Sequence, residues 1–208
     1  MPEHPCCRSS STLVIGIDEV GRGSLIGDVV TAAVVFTGTI PDGLKDSKKL
    51  SEKKRVHFNE LIRSRGIVSI GRATVDEIDE IGILAATLVA MKRAWEGIEA
   101  DIRRQALVIV DGEQAPAINA PMELMPRADD LCPTVSAASI IAKVSRDDDI
   151  KLLHVSDGRY GWDRNKGYGT KEHVGAITKF GPSEYHRRSF APVRGMFKKG
   201  ISCNGDAR

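Results

Sequence analysis

Two short apolar runs end alike: "LVIGI" (13–17) runs into Asp18, and "ALVIV" (106–110) runs into Asp111. Brief, β-branched and apolar throughout, both read as buried strands. In open α/β sheets, sites form in the crevice beyond the carboxyl ends of the strands, so aspartates at equivalent positions on neighbouring strands converge. Convergence is costly without a cation between them. An aspartate also ends many strands simply because the chain turns into solvent, and that reading stays open for either acid alone. The matching context makes a shared acidic site the sharper expectation.

"VVTAAVVF" (29–36) and "GIVSIGRAT" (66–74) are two further strand candidates, and "SEKKRVHFNELIRSR" (51–65), "ILAATLVAMKRAWEGI" (83–98) and "SAASIIAKVSRDDDIKLLHV" (136–155) carry helical periodicity. Ser51 and Ser136 are the expected N-caps. Strands followed by helices, then a strand and more helices, predict an α/β layered fold with a mixed sheet. At 208 residues and 41% hydrophobic, the chain suits one substantial core. A single catalytic domain over 12–197 is expected, with a core to about 155, a basic helical region over about 156–197, and flexible tails at 1–11 and 198–208. The longest apolar run is far short of the roughly 20 residues that cross a bilayer, and the N-terminus lacks a signal-peptide layout. A cytoplasmic location is expected. The four cysteines show no C-x-x-C spacing that points to zinc.

Glu19 follows Asp18 directly, and adjacent side chains on a regular strand point to opposite faces. For both acids to serve one site, the strand must end or bulge here, and Gly21 and Gly23 around Arg22 supply backbone freedom for that. Carboxylates clustered without Cys or His suit hard, oxygen-preferring ions, Mg²⁺ or Mn²⁺. The chain has neither a G-x-S-x-G elbow nor a P-loop.

The net charge of +2 conceals an asymmetry: residues 151–208 hold 12 Lys and Arg against 5 Asp and Glu. Such a lobe is either a solvated surface or a polyanion footprint. "LKDSKKLSEKKR" (44–55) adds basic residues, with Lys48 near a helix start. Over 164–194, Arg164, Lys166, Lys171, Arg187, Arg188 and Arg194 alternate with Tyr168, Phe180, Tyr185 and Phe190, a pattern that nucleic-acid grooves use. Phe180 and Phe190 are expected to pack, and His173 and His186 to be hydrogen-bonded structural groups. Tyr168, between Gly167 and Gly169, is expected to be presented. Asp147, Asp148 and Asp149 read as a solvated helix face.

Taken in order, "GIDEVGRG" (16–23), "DSKKLS" (46–51), "VIVDG" (108–112), "VSAASIIAKVSRD" (135–147), "NKGYGT" (165–170) and "HRRSFAPV" (186–193) resemble the blocks of bacterial ribonuclease HII. The resemblance implies a ribonuclease H-like fold: a mixed five-stranded sheet flanked by helices, its first three strands antiparallel, with a helical C-terminal region. It implies hydrolysis of the RNA strand of RNA–DNA hybrids and incision of duplex DNA 5′ to embedded ribonucleotides, by two-metal-ion catalysis giving 5′-phosphate and 3′-hydroxyl ends. Its four acids, catalytic and metal-binding, match Asp18, Glu19, Asp111 and Asp129, with Asp130 an ambiguous neighbour. The backbone of Gly21, Arg22 and Gly23 would approach the ribose, Tyr168 would pack on the next sugar, and Lys48 would hold phosphate. The chain departs from the common pattern at Ser24 and Asp28, where proline is usual, and Asp28 adds a negative charge near the site. Other readings are a resolvase-type nuclease of the same fold and a non-catalytic hybrid-binding module. A replication clamp at the tail stays open, and without coiled-coil heptads a monomer is expected.

Overall fold

The computed structural model describes residues 13–197, so the tails expected at 1–11 and 198–208 lie outside the described residues. The sheet is built from β1 (Leu13–Val20), β2 (Val29–Val35), β3 (Ile67–Ala73), β4 (Ala106–Asp111) and β5 (Met122–Met125). Its order is β3-β2-β1-β4-β5. β1 pairs antiparallel with β2 and parallel with β4, and β4 is parallel to β5, so the sheet is mixed. The helices are α1 (Glu52–Arg65), α2 (Val75–Ile81), α3 (Ile83–Glu96), α4 (Ala100–Gln105), α5 (Ala128–Leu131), α6 (Pro133–Ser156), α7 (Trp162–Asn165), α8 (Lys171–Phe180) and α9 (Val193–Phe197).

β2 is buried at every residue, because both faces of the sheet are covered and an unbroken apolar run therefore suits it. Its alternation assigns the faces: Ala33 and Val35 join Ile15, Ile17, Val108 and Val110 against Met91 and Ala94 of α3. Ala32 and Val34 pack with Ile62 of α1 and with Ala137, Ile140 and Ile141 of α6. On that second face, a Cβ added to Gly16 would lie 2.4 Å from the Thr134 carbonyl carbon and the Val135 nitrogen. The first turn of α6 rests on bare β1 backbone.

Contacts divide the described residues into two compact units, one of 13–20, 30–72 and 87–145 and the other of 21–29, 73–86 and 146–197. The first holds most of the sheet. The second has its own core of Leu25, Ile26, Ile150, Tyr160, Trp162, Ile177 and Val193, in which the Tyr160 and Trp162 rings stack with centroids 4.9 Å apart. Phe180 and Phe190 pack against it. Trp162 Nε1 donates to His173 Nε2 (2.9 Å), which also lies 3.2 Å from His186 Nε2, while the Ser183 amide and hydroxyl reach His186 Nδ1. Both histidines are structural, as expected.

Three expectations need correction. α6 begins at Pro133, not at 136, because proline's fixed φ and missing N–H suit a first helical turn. Ser136 is therefore inside the helix, donating to the carbonyls of Asp129 (2.7 Å) and Cys132 (3.2 Å) rather than capping. β5 has no counterpart among the strand candidates, since "MELM" is a short and partly exposed edge strand without β-branched residues. Asp147 is buried at 6% exposure, so only part of the 147–149 run is a solvated face. Ser51 does cap α1, accepting from the Lys54 amide at 3.4 Å.

Candidate active site

The parallel register pairs Ile17 with Val110, so the next residues, Asp18 and Asp111, lie side by side on neighbouring strands, Asp111 as the last residue of β4 and Asp18 two residues before the end of β1. Asp129 comes from α5. Ligand oxygens of Asp18, Asp111 and Asp129 all lie within 4.8 Å of one another, although Asp18 and Asp129 are only 4% and 5% exposed. The convergence inferred from two matching strand ends is present, with a third acid added.

Local hydrogen bonds aim these carboxylates. The Glu19 amide donates to Asp18 Oδ1 (2.7 Å), and the Ala128 amide to Asp111 Oδ1 (2.8 Å). The Ser139 hydroxyl bonds Asp18 and lies 2.9 Å from that of Ser47. These donors leave most of the repulsion standing. Burial first, then the charges of Glu19 and Asp111, push Asp18 well above the usual carboxylate range. Asp129 rises to about 6, from burial and the Asp111 and Asp46 carboxylates.

Lys48 Nζ lies 3.9 Å from Asp129 Oδ2 but is largely exposed. Partial burial opposes its charge, yet the carboxylates of Asp46, Asp129, Asp18 and Asp111 hold the ammonium above its ordinary value. One flexible ammonium cannot neutralise such a cluster. Hard oxygen donors, closely spaced and poorly compensated, fit Mg²⁺ or Mn²⁺.

Asp130 is ion-paired with Lys49 and with Arg127, the latter at 3.0 Å, which separates it from its neighbour Asp129. Glu19 is not in the group of three. The break expected at Asp18–Glu19 does not occur there: β1 continues in register, with Asp18 opposite Ala32, Glu19 opposite Thr31 and Val20 opposite Val30. Regular pleating separates the two side chains. The backbone departs only at Gly21, whose φ is +94°. Asp46 and Ser139 also act on the cluster and were passed over; each sits inside a motif block, but neither ends a strand, so periodicity gave no signal.

In the second unit, Gly21–Gly23 opens a segment that pairs on both sides, with bridges from Ser24 to Tyr168 and from Ile26 to His186. Tyr168 is 37% exposed, as a presented ring requires. The buried Ser24 hydroxyl donates to the carbonyls of Ile26 and Gly167, each at 3.0 Å. Asp28 acts on Arg146 and Arg187. Arg187, counted above with the basic footprint, is fully buried and cannot meet a phosphate. Arg164 is paired with Asp163 and Glu172, whereas Lys171 and Lys179 stand exposed along an open groove of about 540 Å³ with Gly169, Val174, Gly175 and Thr178.

A mixed five-stranded sheet flanked by helices, with carboxylates gathered at its strand ends, defines a ribonuclease H-like fold with a metal-binding acidic site. The ribonuclease HII family model matches residues 15–193, and the chain belongs to that family. It is 47% identical over 189 residues to a ribonuclease HII of Alteromonas mediterranea, covering 90% of this chain and 98% of the relative. The structure resembles ribonuclease H2 of Pyrococcus horikoshii with a TM-score of 0.70 at 25% identity, over 90% of this chain and 98% of that one. It also resembles the ribonuclease HII of Archaeoglobus fulgidus determined in complex with PCNA, with a TM-score of 0.67 at 26% identity, over 91% and 95% of the two chains. This protein is accordingly a ribonuclease H, a hydrolase of phosphodiester bonds. No helix among the described residues is long and apolar enough to cross a membrane.

Proposed function

We propose that the protein hydrolyses the RNA strand of RNA–DNA hybrids and incises duplex DNA on the 5′ side of embedded ribonucleotides, leaving 5′-phosphate and 3′-hydroxyl ends. The observation that carries this reading is the convergence of Asp18, Asp111 and Asp129 within 4.8 Å in a chain of the ribonuclease HII family. Asp18, Asp111 and Asp129 would hold divalent cations, which would supply an activated water and stabilise the departing 3′ oxygen. Glu19, whose carboxylate already acts on Asp18 through its charge, would add to the field that attracts them.

The chain's own residues supply position and charge. The amides of Glu19 and Ala128 fix one oxygen each of Asp18 and Asp111, leaving the other lone pairs for a cation. Lys48, with its Nζ 3.9 Å from Asp129 Oδ2, would meet a phosphate oxygen at the edge of the cluster. Buried carboxylates of raised pKa bind cations in competition with protons, so activity should climb as pH rises through about 6, where Asp129 loses its proton.

Discrimination of RNA from DNA requires a partner for the 2′-hydroxyl, which donates and accepts hydrogen bonds. The Gly21–Arg22–Gly23 backbone is that partner in this reading, and Tyr168 supplies a ring face for the adjoining deoxyribose. The basic region of 156–197 is assigned to the duplex, with Lys171 and Lys179 along their groove as phosphate contacts that position without reading sequence.

A duplex carrying a single ribonucleotide, incubated with Mg²⁺ or Mn²⁺ and mapped at nucleotide resolution, tests this directly. One cut 5′ to the ribonucleotide is expected. A cut indifferent to the ribose would favour a resolvase-type nuclease, and binding without any cut a non-catalytic module.

A further inference from the structure

Arg187 is fully buried, yet it reaches backbone oxygens rather than an acid. Its Nε donates to the Gly27 carbonyl (2.9 Å), and its Nη1 to the carbonyls of Arg22 (3.1 Å) and Ser24 (2.8 Å). Its own amide donates to the Leu25 carbonyl (2.8 Å). A planar fork of fixed donors is suited to holding several carbonyls at once, which a lysine ammonium is not. Burial first, then the neighbouring Arg146 guanidinium, push Arg187 down to about 9, so it stays charged at neutral pH.

The consequence lies in one peptide plane. A trans peptide puts its carbonyl and the following N–H on opposite sides. With the Arg22 carbonyl drawn to Arg187, the Gly23 N–H points away from it. Gly23 is exposed, and the place its Cβ would occupy is 4.0 Å from the edge of the Tyr168 ring. A peptide ending on glycine can flip at little steric cost, so sequence alone does not fix which way this amide faces. Arg146 braces the same turn: a Cβ on Gly21 would fall 2.3 Å from its Nε. Its guanidinium also donates to the Lys166 carbonyl (3.2 Å) and lies 5.7 Å from the Tyr168 ring centroid.

We infer that Arg187 is a positioning residue for ribose recognition: by holding the Arg22 carbonyl, it presents the Gly23 amide to the 2′-hydroxyl beside Tyr168. This rests on the proposed reading of the Gly21–Gly23 turn as the ribose contact.

The test is competition binding, without divalent cations, between a duplex with one ribonucleotide and the all-deoxy duplex of the same sequence. The ratio of the two affinities does not depend on how much protein is folded. Arg187→Lys is expected to lower the wild-type preference for the ribonucleotide at least tenfold, while Arg104→Lys, on the exposed surface of α4, leaves it intact. An unchanged ratio in folded Arg187→Lys overturns the inference. Should that variant not fold, hydrogen exchange of the wild-type Gly23 amide decides: protection by the ribonucleotide duplex and not by the all-deoxy duplex supports it, and equal exchange with both refutes it. A wild-type protein that shows no preference between the duplexes would instead sink the underlying reading of the turn.

Discussion

In the first unit, Asp18, Asp111 and Asp129 gather like charges out of water with too few donors to quiet them. In the second, Arg146 and Arg187 are as deeply buried, but their guanidinium groups are spent on backbone carbonyls of the turn and its flanks. Both regions bury charge at a cost. The arginines find carbonyls within the protein for every guanidinium nitrogen but Arg146 Nε and Arg187 Nη2, whereas the acids are left for something from outside to complete. A ligand-binding charge cluster and a scaffolding one are thus told apart by where their hydrogen bonds go.

The strongest way to break this comparison is to remove a ligand oxygen. Asp18→Asn or Asp111→Asn should lower cleavage of a ribonucleotide-containing duplex by more than the roughly 100-fold typical of losing an outer-shell partner of a metal. Circular dichroism and duplex affinity should stay near wild type. Full Mn²⁺-dependent activity in either variant would remove the acids from the chemistry.

Tyr168→Ala should act more gently and more selectively. Loss of an aromatic face against nucleic acid costs about 1–3 kcal/mol, so a rate loss of roughly tenfold is expected at single embedded ribonucleotides. An equal loss on long hybrids would mean the ring does not read the junction.

Acidification should drive the two units in opposite directions. Asp129 has its pKa raised to about 6, so the folded first unit holds a proton that the unfolded chain, with an ordinary carboxylate, releases. Its contribution to stability is present below about 3.9 and is lost as pH rises through about 6. His186 is pushed down to about 3 by burial and by the neighbouring His173. There the unfolded chain takes the proton first, and stability falls as pH drops from about 6.5 toward 3, by at most about 1.4 kcal/mol per pH unit. Between pH 6.5 and 5, in metal-free protein, amide protection factors, corrected for the intrinsic slowing of exchange in acid, should rise in β1 and β4 and fall near Ser183–Arg187. Changes of the same sign in both would refute the contrast.

The smallest effect concerns stability without metal. Asp18→Asn relieves repulsion, and a gain of about 1 kcal/mol would raise Tm by roughly 2–4 °C in a chain of this size. Added Mg²⁺ should stabilise the wild type and not the variant. A lower Tm for the variant in metal-free buffer would mean that the cluster is structurally satisfied after all.

What could be read from the sequence follows from which forces are local. β1, β2 and β4, with Asp18 and Asp111 closing the apolar runs of β1 and β4, were legible because both faces of the strands are covered, so their hydrophobicity is continuous and its end is abrupt. β5 was not, since its position is set by the neighbouring β4 rather than by its own residues. Asp129 could be placed only through the family resemblance: it ends no apolar run, and nothing local distinguishes it from Asp130, whose difference comes from Lys49 and Arg127. Arg187 looked like one more surface charge, because a count of basic residues cannot tell a guanidinium facing water from one facing carbonyls. The regular continuation through Glu19 was missed because the glycines permit a break without dictating where it begins.

Gly16 lies two residues before Asp18, on the same face of β1, where the α6 backbone at Thr134 and Val135 leaves no space for even a methyl group. Asp129 lies just ahead of that turn in the chain. A methyl at position 16 would act as a shim, lifting the turn and drawing the third carboxylate away from the other two. Gly16 is thus a spacer of zero thickness beneath the turn that follows Asp129, and a survey of the protein's acids, bases and nucleophiles would pass over it.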